Sequence, residues 1–334
     1  MERVLIAGIV AMVVSIVAGP KFIQFLRRNE FGQHIREEGP ERHVAKQGTP
    51  VMGGLLVLIA MSVAFLSLSK YTLQGLTVFA VTLACAAIGF ADDFMKLTRR
   101  RSLGLAGRWK LLLLAAIAFG VGFVVEDQNL STSVYVPVAD WRLELSWFWY
   151  GLLFLIVAGA ANGVNLTDGI DGLAAGTGII AVFTFTAINV VTYIRERTAT
   201  DLDLAIAGAA LVGGCIGFLW YNAFPADVFM GDTGSMAIGG ALAAFAVMTK
   251  TELLLLLIGG IFVLEAVSVM LQVFSFKYWG RRIFLIAPIH HHFEMKAWSE
   301  TKIMVRFWIL GAILCATAFA LYYRYYLNFL SLRR

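Results

Sequence analysis

Five aspartates and three lysines are the residues of this chain whose types and spacing suit chemistry. Asp92 and Asp93 stand in ADDFMK (91–96), with Lys96 four residues after Asp92. Asp168 and Asp171 stand in NLTDGIDG (165–172), and Asp232 in GDTGS (231–235). Lys46, in KQGTPVMGG (46–54), and Lys110 add mobile positive charge, and PIHHHFE (288–294) places His290, His291 and His292 in a row. So many carboxylates repel an anion unless a cation lies between. Mg²⁺ prefers oxygen and commonly takes one or two carboxylates plus substrate phosphates. Glycines let a backbone approach phosphate, and GDTGS and DGIDG each run into an apolar segment, where the free N–H groups of a helix start favour an anion. A metal ion, ammonium groups and a positioned acid or base are the parts of phosphoryl transfer.

The elements that must position these groups are membrane helices. Of 334 residues, 59% are hydrophobic and 15% charged, against about 25% charged in soluble domains. The apolar residues come in blocks near the ~20 residues that cross a bilayer. Spans are expected at 4–26, 50–68, 73–92, 110–125, 147–163, 173–193, 203–221, 235–249, 252–276 and 303–324. The fold expected is all-α, a polytopic integral membrane bundle of ten transmembrane helices, forming a single transmembrane domain over 1–334. Thr49-Pro50 reads as an N-cap followed by Pro at the first helical position. The eighth span is short, and the ninth carries Glu265, an intramembrane carboxylate, read as a helix contact or break near a lipid groove. The charged, then apolar N-terminus has signal-peptide features, but with no soluble domain after it we read a first helix. Cys85, Cys215 and Cys315 lie in apolar runs and read as packed thiols. STSVYVPV and WRLEL alternate and suggest an external hairpin.

Lys and Arg crowd into loops 27–48, 92–110 and 277–302. Positive loops mark the cytoplasmic side, so ten helices put both termini outside. The net charge of +5 then reports loop orientation rather than nucleic-acid binding. All five motifs fall on alternate loops, at the cytoplasmic face, which makes one shared site the better reading than five unrelated linkers. A cytoplasmic site in a membrane protein suggests one soluble and one lipid substrate.

KQGTPVMGG, DDFMK, NLTDGIDGLA, GDTGS and PIHHHFE, in that order, resemble the phospho-N-acetylmuramoyl-pentapeptide transferase family, from about Phe31 to Trp308. EAVSVMLQVFSFK (265–277), which holds Gln272, and KIMVRFW (302–308) resemble it too. The resemblance implies UDP-MurNAc-pentapeptide and undecaprenyl phosphate as substrates, lipid I and UMP as products, Mg²⁺ as cofactor, a homodimer, and the bacterial inner membrane. It implies catalytic roles for Asp92, Asp93, Asp168, Asp232, His290, Lys96 and Lys110, with Asp232 the magnesium ligand. Asp92 would act as a base on the lipid phosphate or as a covalent nucleophile; an acceptor that is already anionic favours the base. Substrate contacts are implied for Lys46, Thr49, Asn165, Leu166, Gly169, Asp171, Asn222, Phe229, Gln272, His291 and His292. Asp171 would read the uracil and Phe229 would stack on it. Val51 stands where the family usually has Thr, which removes a hydroxyl near the site.

Each of these residues also has a plainer reading. Asp92 and Asp93 would be a solvated helix end, Asp232 an acid near an N-cap, and Asp168 and Asp171 Asx turns. Consecutive histidines on one turn rarely converge on one ion, so they do not read as a zinc site. A transporter is the rival of another class, but its polar groups belong near the midplane of repeated halves. A sister transferase taking UDP-N-acetylglucosamine would share the aspartates; PIHHHFE and KQGTPVMGG argue against it.

Overall fold

The computed structural model describes residues 1–29, 48–99, 104–139 and 141–326; Lys46 lies outside the described residues. The helices are α1 (Glu2–Arg28), α2 (Gly54–Leu68), α3 (Leu73–Arg99), α4 (Gly107–Asp127), α5 (Phe148–Thr167), α6 (Leu173–Glu196), α7 (Ala199–Asn222), α8 (Gly231–Met248), α9 (Leu255–Ile258), α10 (Gly260–Trp279), α11 (Ile289–Met295) and α12 (Glu300–Leu321). The strands β1 (Ser133–Val136) and β2 (Trp141–Glu144) form the expected hairpin between α4 and α5, antiparallel, with Ser133 opposite Glu144. Eight of the helices are long and apolar enough to cross a bilayer. The shorter α2, with 15 residues, and α8, with 18, lie among them. The chain is the all-α polytopic membrane protein expected.

Helices α7 and α8 make the centre, and α1, α4, α10 and α12 the rim. The most apolar stretch of α7 is 83% buried, that of α1, α4 or α10 only 28%. Every residue of α8 from Thr233 to Met248 is buried, because it is built largely of Gly and Ala. Small residues let membrane helices close to backbone contact. A Cβ on Gly239 would stand 2.4 Å from the Ala160 carbonyl oxygen of α5, and one on Gly89 of α3 only 2.1 Å from the Asp232 carbonyl oxygen. Gly89 thus brings α3 against the start of α8 one turn before Asp93. The three cysteines are buried free thiols, as expected.

Four expectations change. Asp92 and Asp93 do not end a helix, because α3 runs on to Arg99; the continued turn brings Lys96 beneath Asp92. Thr49-Pro50 does not start α2. The helix begins at Gly54 with Gly53 as N-cap, and the Pro50 carbonyl instead accepts the Phe229 N–H at 2.8 Å. The long ninth span is broken at Gly259 into α9 and α10. The loop 277–302 contains a helix, α11, that carries all three adjacent histidines.

Candidate functional site

Two lysines and two aspartates alternate in one cluster at the end of the bundle opposite the hairpin. Lys96 Nζ lies 2.6 Å from Asp92 Oδ2 and 3.1 Å from Asp232 Oδ1. Lys110 Nζ lies 2.9 Å from Asp92 Oδ1 and 2.8 Å from Asp232 Oδ2. Lys96 reaches Asp92 because i and i+4 share a helical face; Lys110 comes from the first turn of α4. The Leu105 N–H also donates to Asp92 Oδ1, at 2.7 Å. Asp92 and Asp232 each have both ammonium groups as partners, so the four charges form one network and loss of a single lysine leaves neither carboxylate unpaired.

Asp93, from the same turn of α3, does something different. It accepts the Asp232 N–H at 3.1 Å, the Thr233 N–H at 2.9 Å and the Thr233 hydroxyl at 2.7 Å. It therefore caps α8 from a neighbouring helix. An anion does sit at this helix start: the protein's own Asp93 carboxylate. Asp92, Asp93 and Asp232 each offer an oxygen within 4.8 Å of the others. Three hard carboxylate oxygens suit Mg²⁺, and the lysines already mark the spot as one of exchanged charge.

Backbone pairing draws the remaining motifs in. The Phe229 carbonyl accepts the Gly53 N–H at 2.8 Å and the Met230 carbonyl the Gly54 N–H at 2.9 Å, so KQGTPVMGG and GDTGS form one ledge. Thr49 is half-buried beside it, and buried Val51 would touch a Cβ on Gly231. Asn222 spans two loops: its Oδ1 accepts the Gly172 N–H at 3.1 Å and its Nδ2 donates to the Val228 carbonyl at 2.9 Å. Asp171 accepts the Ala226 N–H at 3.1 Å. Asn165 donates to the Ser235 hydroxyl at 3.0 Å, and Leu166 is half-buried one residue on. Asp168 follows the last residue of α5. Burial first, then the charges of Asp232 and Asp93, push its carboxyl up to about 8.

The histidines arrive from the rim. His290 is fully buried, with Nδ1 3.1 Å from Glu265 Oε1 of α10. Its Nε2 faces Gly169, where a Cβ would come within 2.3 Å. His292 accepts the Leu285 N–H on Nδ1 at 3.1 Å, and His291 meets Glu294. Gln272 accepts the Ile283 and Phe284 N–H groups and donates to the Phe284 carbonyl. In this structure Gln272 and His292 thus hold the loop before α11. The sequence reading passed over Thr233, Leu105 and the Glu265–His290 pair. Thr233 lay inside a quoted motif; the Leu105 contact is through backbone and leaves no residue signature.

The sequence pattern of glycosyl transferase family 4 matches residues 75–250, the stretch that supplies Asp92, Asp93, Lys96, Lys110, Asp168 and Asp232. Three relatives are similar over nearly the whole chain, each named phospho-N-acetylmuramoyl-pentapeptide-transferase. Those of Halalkalibacterium halodurans (45% identical; 95% of this chain and 97% of the relative), Rubrobacter xylanophilus (45%; 97% and 98%) and Geobacillus kaustophilus (46%; 93% and 95%) cover both chains almost completely. The chain belongs to glycosyl transferase family 4. The family match ends before α9, so Glu265, Gln272 and the histidines lie outside it.

Proposed function

We propose that this protein transfers phospho-MurNAc-pentapeptide from UDP-MurNAc-pentapeptide to undecaprenyl phosphate, giving lipid I and UMP. The observation that carries the reading is the Asp92–Lys96–Asp232–Lys110 cluster, set beside Asp93 and Asp168 at one end of a membrane bundle. Full-length similarity to relatives named for this reaction supports the substrate pair.

An oxygen of the lipid phosphate attacks the phosphorus that carries the sugar. A new P–O bond forms, the pyrophosphate bond breaks, and UMP leaves. Asp92 takes the proton of the acceptor phosphate. Lys96 and Lys110 leave their carboxylates in part to neutralise the anions that arrive. Asp93 keeps the start of α8 in register, so that Asp232 stays aimed at the cluster. Asp232 holds Mg²⁺, which when bound supplies positive charge at the pyrophosphate. Phe229 stacks on the uracil, with Asp171, Asn165, Leu166, Gly169 and Asn222 around the nucleoside. Lys46, Thr49, Gln272, His291 and His292 serve the substrate groups beyond it, and His290 faces the Asp168 turn. The site lies on the cytoplasmic face of the bacterial inner membrane, both termini lie outside, and the chain forms a homodimer in the bilayer.

UMP release tests this, measured with undecaprenyl phosphate and either UDP-MurNAc-pentapeptide or UDP-N-acetylglucosamine. Turnover with the first alone is expected, abolished by chelation of Mg²⁺ and by Asp232→Asn. Turnover with the second alone would move the chain to the sister activity, and no turnover with either would overturn the reading.

A further inference from the structure

Glu265, Ser268, Gln272 and Ser275 recur along α10 at spacings that keep them on one helical face. Glu265, Ser268 and Ser275 are buried, while Met270, Val273 and Phe276 on the same helix are exposed. This polar seam runs through a helix of the rim, where apolar residues would be the natural choice. Its side chains are spent on the segment that follows. Ser275 donates to the Arg281 carbonyl at 2.8 Å, Gln272 clasps Ile283 and Phe284, and Glu265 meets His290. Ser268 donates back to the Glu265 carbonyl at 2.7 Å. The seam is a template on which residues 281–290 are laid down.

We propose that Glu265 is a positioning residue: it holds His290 as the Nδ1–H tautomer and so presents Nε2 as a hydrogen-bond acceptor to the Asp168–Gly169 turn. The contact at 3.1 Å is read as a donation from Nδ1–H to the Glu265 carboxylate oxygen, a group that accepts hydrogen bonds. Which ring nitrogen is protonated is set by the partner of the other. Nε2 is buried and has no partner among the described residues, yet it lies against Gly169, next to Asp168. A buried acceptor left open beside the reacting groups is completed by a donor that arrives there, from substrate or from a site water. With the opposite tautomer, Nδ1 would turn a lone pair on the carboxylate and Nε2 would bury an unmet N–H; both are unfavourable. The proposal rests on the reading of His290 as a residue of the transferase site.

The test uses the full chain in lipid nanodiscs with ¹⁵N-labelled histidine, the His290 signals being assigned by their loss in His290→Asn. The expected spectrum has a protonated Nδ1 and a bare Nε2. Glu265→Gln keeps the volume but offers a group that both donates and accepts, so the ring should populate both tautomers. Its kcat for UMP release should fall by about tenfold or more, the scale on which metal-ligating histidines respond to loss of the partner that orients them. Glu265→Gln should add little to the defect of His290→Asn. A wild-type ring protonated on Nε2 would overturn the proposal. So would a Glu265→Gln variant with unchanged tautomer and kcat, or losses that multiply in the double variant. Wild-type turnover in His290→Asn would instead remove the reading of His290 beneath the proposal, and the ring spectrum tells the two failures apart.

Discussion

Asp93→Ala should loosen α8 before it affects any chemical step. The carboxylate accepts two backbone N–H groups and one hydroxyl at 2.7–3.1 Å. Hydrogen bonds to a charged group contribute about 1.5–3 kcal/mol each, and a buried donor left unpaired costs about 1–3 kcal/mol. The hydroxyl can turn to another acceptor; the two N–H groups cannot. The expected loss is therefore about 3–6 kcal/mol. At about 2–4 °C per kcal/mol for chains of 150–250 residues, the melting temperature should drop by on the order of 10 °C. Thr233→Val removes only the hydroxyl bond, about 1.5–3 kcal/mol, and should shift melting by half as much or less. The buried thiols of Cys85, Cys215 and Cys315 provide the assay, since a thiol-reactive dye reads their exposure during a thermal scan in detergent. Cys85 is well placed, its Sγ lying 2.5 Å from where a Cβ on Gly240 of α8 would be. An Asp93→Ala protein that melts within about 2 °C of wild type, less than 1 kcal/mol on the same scale, yet has no turnover would refute the capping argument and leave Asp93 a purely chemical role.

Three further outcomes are expected. Phe229 is pinned through its own N–H and carbonyl, so Phe229→Ala should keep the ledge and lose only stacking. At ~1–3 kcal/mol per stacked base, titration should show UDP-substrate affinity weakened about tenfold to a hundredfold, with Phe229→Trp keeping most of it. The Asp168 carboxyl, raised to about 8 in the folded protein from ~3.9 in an unfolded chain, binds more protons folded than unfolded between those values. Its contribution to stability is thus full below about pH 4 and is lost as pH rises toward about 8; melting scans in Mg²⁺-free buffer should show that slope flattened by Asp168→Asn. A cysteine added at the C-terminus of a cysteine-free background should react with an impermeant thiol reagent in whole cells, and one in loop 277–302 should not; the reverse pattern would turn the orientation over.

The fold was legible where one physical rule dominates. Apolar length announced the spans, and alternation announced the hairpin at 133–144. Boundaries failed where tertiary contacts override local signals. Thr49-Pro50 has the chemistry of a helix start, but the Phe229 N–H takes the Pro50 carbonyl and α2 begins later. Asp92 and Asp93 looked like a helix end because charge usually leaves the membrane there; Lys96 and Lys110 neutralise it and the helix continues. The site motifs were legible as residue types. What each carboxylate does was not, since Asp92 and Asp93 are neighbours in sequence and only the position of α8 makes one an ion-pair partner and the other a cap. Glu265 stood out as a charge in a membrane helix, but its partner lay 25 residues away. The seam that contains it was visible as spacing, although a contact to a particular histidine was not.

Asp93 is not the only carboxylate to cap a neighbour. At the hairpin end, Asp203 of α7 accepts the Lys70 N–H at 2.6 Å and the Thr72 N–H at 2.8 Å, just ahead of α3. Twenty positions further along the same helix, about 30 Å at 1.5 Å per residue, Asp93 performs the same service for α8. Helix α3 is thus coupled in series, gripped at its start by one neighbour and gripping the next near its end. A disturbance at the hairpin end that shifts the loop around Lys70 has a mechanical line through α3 to the ledge at Asp232, with no substrate in between.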